Sequence, residues 1–337
     1  MGDRLPPLVG GCNAPRHVYI DLGVNWANTA RLFEVIGERA HAYEVYGFEA
    51  SPLIMPFADE YFAWLNGDRA NEPLSCLPRS GSTTHLAQFA GLYGCKNATT
   101  SRELLRDCMW RRLSVHLAAL RPNPRLNSSD LIQSRLARAR HVRGESGCAA
   151  APTRSSYTFV PAAAGVAGDG RWLTMYSPPS SVIRGGSIDA QKGSAHMRMD
   201  QKRAGDEAYT YRVRVVDVPT WVGFSFSVLD FVVLKMDVEG AEHRLLEQMV
   251  SRGLMPLVDV LSLECHDGAR GFERRDRSCK RLIHMVTAAA PRMRLINESA
   301  HGGHDLHSGF DGKVQELQRA CTAVDPKRFV LSRRFGS

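Results

Sequence analysis

The chain has 337 residues, of which 44% are hydrophobic and 23% are charged, so it is long and apolar enough to build a stable globular core. Its formal net charge is +8, from 43 lysines and arginines against 35 aspartates and glutamates. This composition excludes a chain that is disordered as a whole, and no stretch reaches the roughly 18 consecutive apolar residues that a membrane span needs. Composition alone indicates no particular function.

Two clusters of basic residues carry much of the positive charge. Ten arginines lie between residues 102 and 143, and five arginines with one lysine lie between residues 270 and 281. Such clusters can attract an anionic partner. Neither cluster is interleaved with a nucleic-acid-binding motif, so solvated helix faces explain them better, and we predict no specific nucleic acid partner.

The cysteines and histidines indicate no metal site. The eight cysteines include no Cys-x-x-Cys pair or other zinc-ligand spacing, which disfavours a structural metal or a dense disulfide framework. Three histidines with Asp305 in residues 301–307 could bind a soft metal, but a glycine-rich loop explains them as well, and no metal ligand is assigned. Residues 1–15 lack the apolar stretch of a signal peptide. We therefore expect a soluble protein whose compartment stays open, with the cytoplasm favoured over the secretory lumen.

The first fifty residues have the pattern of one β-α-β unit. A short apolar run at residues 18–23 ends in a turn at Gly23, and residues 29–39 follow with helical spacing of their apolar side chains. Residues 45–52 then have the composition of a second strand. A unit of this kind predicts a parallel pair of strands joined by a helix.

The pattern is interrupted after the second strand. Residues 53–156 contain turn-rich pieces, an arginine-rich helix candidate at 101–120 and a run rich in Gly, Ala and Ser at 144–156. We interpret the whole segment as a partly disordered insertion. Residues 1–52 and 157–337 would then be the two parts of one α/β domain.

Regular periodicity returns after the insertion. The predicted helices are residues 241–252, which Gly253 ends, and residues 280–288. The polar residues 177–207 are interpreted as a flexible excursion. Strands alternating with helices predict a mostly parallel, doubly wound sheet whose ligands bind beyond the carboxyl ends of the strands. The further predicted strands are residues 157–164, 211–218, 231–238, 258–264, 293–297 and 329–332.

The ends of the first two strands suit a nucleoside-like ligand. Gly23 allows a tight turn, and the helix after it presents unpaired N–H groups. Residues 21–28 (DLGVNWAN) lack Gly-x-Gly-x-x-Gly, which disfavours NAD or FAD and favours a cofactor without a pyrophosphate. Glu49 can accept hydrogen bonds from both hydroxyls of a ribose. By itself Glu49 could equally be a surface acid before a turn, but with Asp21 and Gly23 in the same unit the ribose interpretation is the better one.

The segment 235–242 (KMDVEGAE) is the most distinctive in the chain. It brings three carboxylates, those of Asp237, Glu239 and Glu242, to one turn between a buried strand and a helix, with Gly240 at the bend. A carboxylate near a helix N-terminus is stabilised by the helix dipole. Capping of the helix can therefore explain Glu242, but it does not explain all three acids.

Three segments, residues 19–25 (YIDLGVN), 46–52 (YGFEASP) and 233–242 (VLKMDVEGAE), resemble in order and spacing the signature segments of the FkbM family of methyltransferases. The resemblance covers residues 18–52 and about 157–266. It implies a class I, Rossmann-like fold with a doubly wound, mostly parallel seven-stranded sheet and a long insertion after the second strand. It also implies S-adenosylmethionine as cofactor and methyl transfer to a hydroxyl of a small molecule or saccharide.

The resemblance also implies roles for individual residues. Asp21, Gly23 and Asn25 would line the methionine part of the cofactor, Glu49 would bind the ribose, and the end of the third strand near Ala163 would border the adenine. Asp237 would lie beside the sulfonium. The full set of implied cofactor-binding residues is Asp21, Gly23, Asn25, Asn28, Glu49, Ser51, Ala163 and Asp237.

A hydroxyl acceptor has to lose a proton, so the site needs a general base. The candidates are Asp237, Glu239, Glu264 and His266, all at predicted carboxyl ends of strands, and we rank Asp237 and Glu239 first. His266 is as often a core or surface histidine as a base. An alternative function, suggested by Ala27 in place of the family's usual glycine and by the insertion, is a catalytically silent binding module of this fold with a basic insertion.

Overall fold

The computed structural model describes residues 16–24, 42–51, 55–68, 125–126, 128–141, 154–177, 209–238, 240–265 and 279–297, and the fold is given for these residues. Their strands are β1 (His17–Leu22), β2 (Tyr43–Phe48), β3 (Ser156–Val160), β4 (Ala163–Gly165), β5 (Trp172–Ser177), β6 (Tyr209–Asp217), β7 (Phe231–Met236), β8 (Val260–Leu263) and β9 (Arg294–Asn297). Their α-helices are α1 (Met55–Leu65), α2 (Ser129–His141), α3 (Val218–Ser225), α4 (Glu242–Ser251) and α5 (Cys279–Ala289).

The main sheet is parallel throughout and has the order β3-β2-β1-β7-β8-β9. The chain builds outward from β1 to β3 on one side and then from β7 to β9 on the other. The direction of winding therefore reverses between β1 and β7. In an open sheet of this kind, the crevice outside the carboxyl ends of these two strands is where ligands bind.

Both faces of the main sheet are covered, which explains the continuous apolar character of its strands. One face, with Ile20 and Leu234, packs against α2, α3, α4 and α5 in one hydrophobic cluster. The opposite face, with Tyr19 and Val233, packs against α1 in a second cluster. Asp21 follows Tyr19 by two residues and so lies on the face of α1.

A second sheet of three strands has the order β4-β6-β5, with β4 parallel and β5 antiparallel to β6. The sequence predicts a single strand over residues 157–164. The structure divides this segment at Pro161 into β3 and β4, because proline has no N–H to donate to a sheet. A backbone hydrogen bond of 2.9 Å from Ala162 to the Val160 carbonyl forms the bend between them.

The helices α1 and α2 lie within residues 53–156, the segment that the sequence predicts as an insertion. Both pack against β3: Phe62 of α1 contacts the Phe159 ring at 5.7 Å between centroids, and the Arg135 guanidinium of α2 donates to the Phe159 carbonyl at 2.8 Å. An ion pair of 2.7 Å between Arg135 and Asp59 joins the two helices. The helix candidate at 101–120 lies outside the described residues, and the division of the chain into domains stays a prediction.

An ionic network holds the amino ends of the strands together. The Arg16 guanidinium pairs with Asp230 before β7 at 3.0 Å and with Glu44 of β2 at 3.3 Å. The Tyr46 hydroxyl donates to the same Glu44 carboxylate at 3.0 Å. Burial and the neighbouring Glu44 charge raise the pKa of Tyr46. This network lies at the opposite edge of the sheet from the predicted ligand crevice, so its role is structural.

Most of the predicted elements are confirmed within a few residues. The predicted strands at 231–238, 258–264 and 293–297 correspond to β7, β8 and β9, and the two predicted helices of the second half correspond to α4 and α5. Gly253 ends α4 in a left-handed conformation with φ +67°, as predicted. None of the described helices is both long and apolar enough to span a bilayer.

The strand count differs from the seven that the class I fold implies. The main sheet has six strands in the described part of the chain, because the predicted strand 211–218 corresponds to β6 of the second sheet. The predicted strand 329–332 and the predicted helix 29–39 lie outside the described residues.

Candidate active site

The residues that directly follow four of the parallel strands are joined by backbone hydrogen bonds at one edge of the sheet. Gly23 after β1 donates to the Phe48 carbonyl of β2 at 3.1 Å, and Glu49 after β2 donates to the Val160 carbonyl of β3 at 3.3 Å. On the other side, Asp237 after β7 donates to the Leu22 carbonyl at 3.0 Å, and Glu264 after β8 donates to the Met236 carbonyl at 2.9 Å. The sheet thus brings Gly23, Glu49, Asp237 and Glu264 to its carboxyl edge.

Gly23 is required by a close backbone approach at the switch point between β1 and β7. Its φ of +88° lies in the left-handed region, and a Cβ atom at this position would lie 1.8 Å from the Asp237 carbonyl oxygen. Any side chain would therefore separate the end of β1 from the end of β7. The glycine lets the turn after β1 lie directly against the backbone of Asp237.

Asp21 forms a buried ion pair with Lys235, its direct neighbour on β7. The Lys235 Nζ lies 3.1 Å from the Asp21 Oδ1, and the side chains are 10% and 1% exposed respectively. The same ammonium group donates to the Gly23 carbonyl at 3.4 Å. Lys235 thus connects β7 with the turn after β1, and sequence analysis missed it. The available signal was a cation in a strand covered on both faces, where a charge needs a partner.

Glu49 is buried at the end of β2 and is held by its own loop. Its Oε1 accepts hydrogen bonds from the backbone N–H groups of Ala50 at 2.9 Å and Ser51 at 2.7 Å. Ser51 is also buried, and its carbonyl accepts from the Met55 N–H at 2.9 Å, where α1 begins. These contacts hold the Glu49 carboxylate in the loop at the carboxyl end of β2, the strand next to β1.

The predicted acids of the turn between β7 and α4 lie in different environments. Glu242 is completely buried, and its carboxylate accepts from the Val238 N–H at 3.1 Å and from the Gly240 N–H at 2.9 Å. Glu242 therefore stabilises the turn at the start of α4, as the capping explanation predicts. Asp237, in contrast, is partly exposed. Glu239 lies outside the described residues.

The other predicted site residues lie in β4, directly after β8, or outside the described residues. Ala163 is the first residue of β4, is buried, and pairs with Val215 of β6 in the second sheet. Glu264 is partly exposed at the end of β8. Asn25, Asn28 and His266 lie outside the part of the chain that the structure describes.

The charged side chains described at this edge of the sheet are mostly acidic. Among the described residues named here, five carry a carboxylate (Asp21, Glu49, Asp237, Glu242 and Glu264) and one, Lys235, carries a cation. Lys235 is already paired with Asp21.

A doubly wound parallel sheet with a glycine turn at its switch point and an acid at the end of the adjacent strand is consistent with the Rossmann-like, class I methyltransferase fold. The family model of the methyltransferase FkbM domain matches residues 10–287, and the chain belongs to this family of methyltransferases. This confirms the resemblance found in the sequence. No curated protein and no solved structure matches the chain.

Proposed function

We propose that the protein is an S-adenosylmethionine-dependent methyltransferase that methylates a hydroxyl group of a small molecule or a saccharide. The observation that carries the proposal is that the backbones of Gly23, Glu49 and Asp237 directly follow the adjacent strands β1, β2 and β7, with Gly23 in close contact with Asp237 at the switch point of the sheet. Membership of a methyltransferase family requires a methyl donor. The identity of the donor and of the acceptor is our proposal.

The local chemistry supports this donor. The Gly23 turn, held against Asp237 and tied to Lys235, would receive the amino acid part of the donor beside β1. Glu49 is fixed at the end of the neighbouring strand, at the position from which an acid binds ribose hydroxyls in sheets of this kind. Acidic residues at this edge are compatible with the positive charge of a sulfonium. Asp21, which the sequence assigns to donor binding, would act through its ion pair with Lys235 by holding the turn.

The donor supplies an activated methyl group when it is bound. The chain's own residues then have to align the acceptor hydroxyl, exclude water and remove a proton. The partly exposed Asp237 carboxylate is our candidate for the group that takes the hydroxyl proton, because it lies at the switch point itself. Glu264 lies one strand further away, after β8, and is the next candidate among the described acids.

The catalytic part of the proposal is tested by transfer of a labelled methyl group to a panel of saccharides and small hydroxyl compounds. Asp237→Asn keeps the size of the side chain and removes its basicity, so we expect a rate loss of about 10²-fold or more, with binding of S-adenosylhomocysteine, which lacks the sulfonium charge, retained. The matched control is Glu247→Gln, because Glu247 is an exposed acid on α4. A variant Asp237→Asn that is as fast as the control would show that another group is the base.

The donor-binding part is tested by isothermal titration with S-adenosylhomocysteine. In Glu49→Gln the amide oxygen can still accept from Ala50 and Ser51, so the loop keeps its contacts while the charged acceptor is lost. Hydrogen bonds to a charged group contribute about 1.5–3 kcal/mol, so we expect roughly 10- to 100-fold weaker binding. Equal affinities of Glu49→Gln and the control Glu247→Gln would remove Glu49 from the donor site.

A further inference from the structure

Three soft or borderline donor groups meet on the α4 side of the sheet. His243 is the second residue of α4, Cys265 lies two residues after β8, and Cys279 is the first residue of α5. All three side chains are buried, and their donor atoms lie within 4.8 Å of one another. The His243 Nε2 lies 3.8 Å from the Cys265 Sγ. We call these residues the thiol-histidine cluster.

The two cysteines of the cluster form a disulfide in the structure. We propose that the cluster has a second state: when this disulfide is reduced, Cys265, Cys279 and His243 bind a zinc ion. Two thiolates and one imidazole are a donor set that zinc prefers, and three protein ligands leave one position of a tetrahedral ion for water. The proposal concerns a separate site and is independent of the methyl donor and acceptor.

The geometry of the cluster suits one small tetrahedral ion. Zinc binds sulfur at about 2.3 Å and imidazole nitrogen at about 2.0 Å, so two donors on one ion lie roughly 3.5–3.8 Å apart. The distance of 3.8 Å between the His243 Nε2 and the Cys265 Sγ already has this value. The Cα atoms of Cys265 and Cys279 are 5.8 Å apart, which allows side-chain rotation to give both sulfurs the same spacing.

Burial also favours the ion over a pair of bare thiolates. Two negative charges in an apolar interior are costly unless a cation neutralises them. The disulfide is converted to the zinc site in two steps, reduction and metal binding. A phosphine reductant supplies two electrons and becomes its oxide, the S–S bond breaks, and two protons from solvent complete the thiols. Zinc then displaces both protons to solvent as two Zn–S bonds and one Zn–N bond form.

The site is tested on the full chain with cobalt(II), which reports thiolate ligands by a charge-transfer absorption band. The protein is reduced with a phosphine, freed of reductant without oxygen, and titrated. We expect the wild type to bind one more equivalent of cobalt through thiolates than Cys265→Ser or Cys279→Ser binds. Zinc should displace this additional equivalent. Since the chain has six other cysteines, the difference between wild type and variant is the quantity measured.

The histidine ligand has its own control. His243→Ala should weaken this cobalt equivalent at least tenfold, whereas His284→Ala, at an exposed position of α5, should leave it unchanged. Identical cobalt spectra for the reduced wild type and Cys265→Ser would overturn the proposal. So would equal binding by His243→Ala and His284→Ala.

A second measurement needs no substitution and so does not depend on the folding of a variant. Zinc added to the reduced wild type should slow alkylation of Cys265 and Cys279, as measured by peptide mass spectrometry. The oxidised protein should instead yield the two peptides linked by the disulfide. Alkylation of both cysteines at the same rate with and without zinc would contradict the site. Neither result depends on whether the protein transfers a methyl group.

Discussion

Removing the cation from the buried pair of Asp21 and Lys235 beside the Gly23 turn should destabilise the protein strongly. In Lys235→Met a residue of similar length replaces the lysine, but Asp21, which is 1% exposed, loses the ammonium group that lies 3.1 Å away. Breaking a buried pair by removing one partner costs about 3–5 kcal/mol, because a charge is left in a low-dielectric interior. This corresponds to a rise of roughly 10²- to 10⁴-fold in the ratio of unfolded to folded protein.

The assay is urea unfolding followed by circular dichroism, with the midpoint and slope compared between variants. Lys280→Met is the matched control, since Lys280 is exposed on α5, and its free energy of unfolding should change by less than about 0.5 kcal/mol. The double variant Asp21→Asn with Lys235→Met should be more stable than Lys235→Met alone, because no charge remains buried there. A Lys235→Met variant as stable as the control would refute the role of the pair.

Three further perturbations have directions fixed by the structure. Gly23→Ala would place a Cβ 1.8 Å from the Asp237 carbonyl oxygen and should abolish donor binding in titration. The control is Gly253→Ala, because Gly253 has φ +67° and no atom lies within 4 Å of a Cβ there. This control should lower the free energy of unfolding by only about 1–2 kcal/mol and leave donor binding intact. Because the pKa of Tyr46 is raised in the folded protein, the unfolded chain loses this hydroxyl proton first as the pH rises above about 10, the ordinary tyrosine pKa. The free energy of unfolding should therefore fall above this pH, and Tyr46→Phe should flatten the alkaline part of the stability profile. Cys265→Ser should lower the free energy of unfolding of the oxidised protein by about 3 kcal/mol, since the disulfide joins residues 14 positions apart.

The parallel sheet could be predicted because local signals and the final packing agree. Strands β1, β7 and β8 are short apolar runs that Gly23, Asp237 and Glu264 respectively follow, and α4 has an apolar stripe that Gly253 terminates. The helix α3 was missed: the predicted strand 211–218 overlaps it only at Val218, and no element was predicted for the rest of the helix. Its start at Asp217, whose side chain accepts from the Thr220 N–H at 3.2 Å, is a capping signal that could have been used.

Only those residues of the candidate site that lie at the ends of recognisable strands could be predicted from the sequence. The Gly23 turn and Glu49 stand at the ends of recognisable strands, so their neighbourhood followed from the parallel order. The partner of Asp21 did not, because Lys235 is distant in sequence and only the pairing of β1 with β7 brings it close. The same holds for the disulfide between Cys265 and Cys279, since cysteine pairing is a property of the folded chain.

The central claim is tested most directly by a crystal structure of the protein with S-adenosylhomocysteine. The account predicts that the ribose hydroxyls lie within about 3 Å of the Glu49 carboxylate, that the amino acid part lies over the Gly23 turn, and that the sulfur faces Asp237. Binding of the nucleoside away from Glu49, or a crevice that stays empty at saturating ligand concentration, would contradict it.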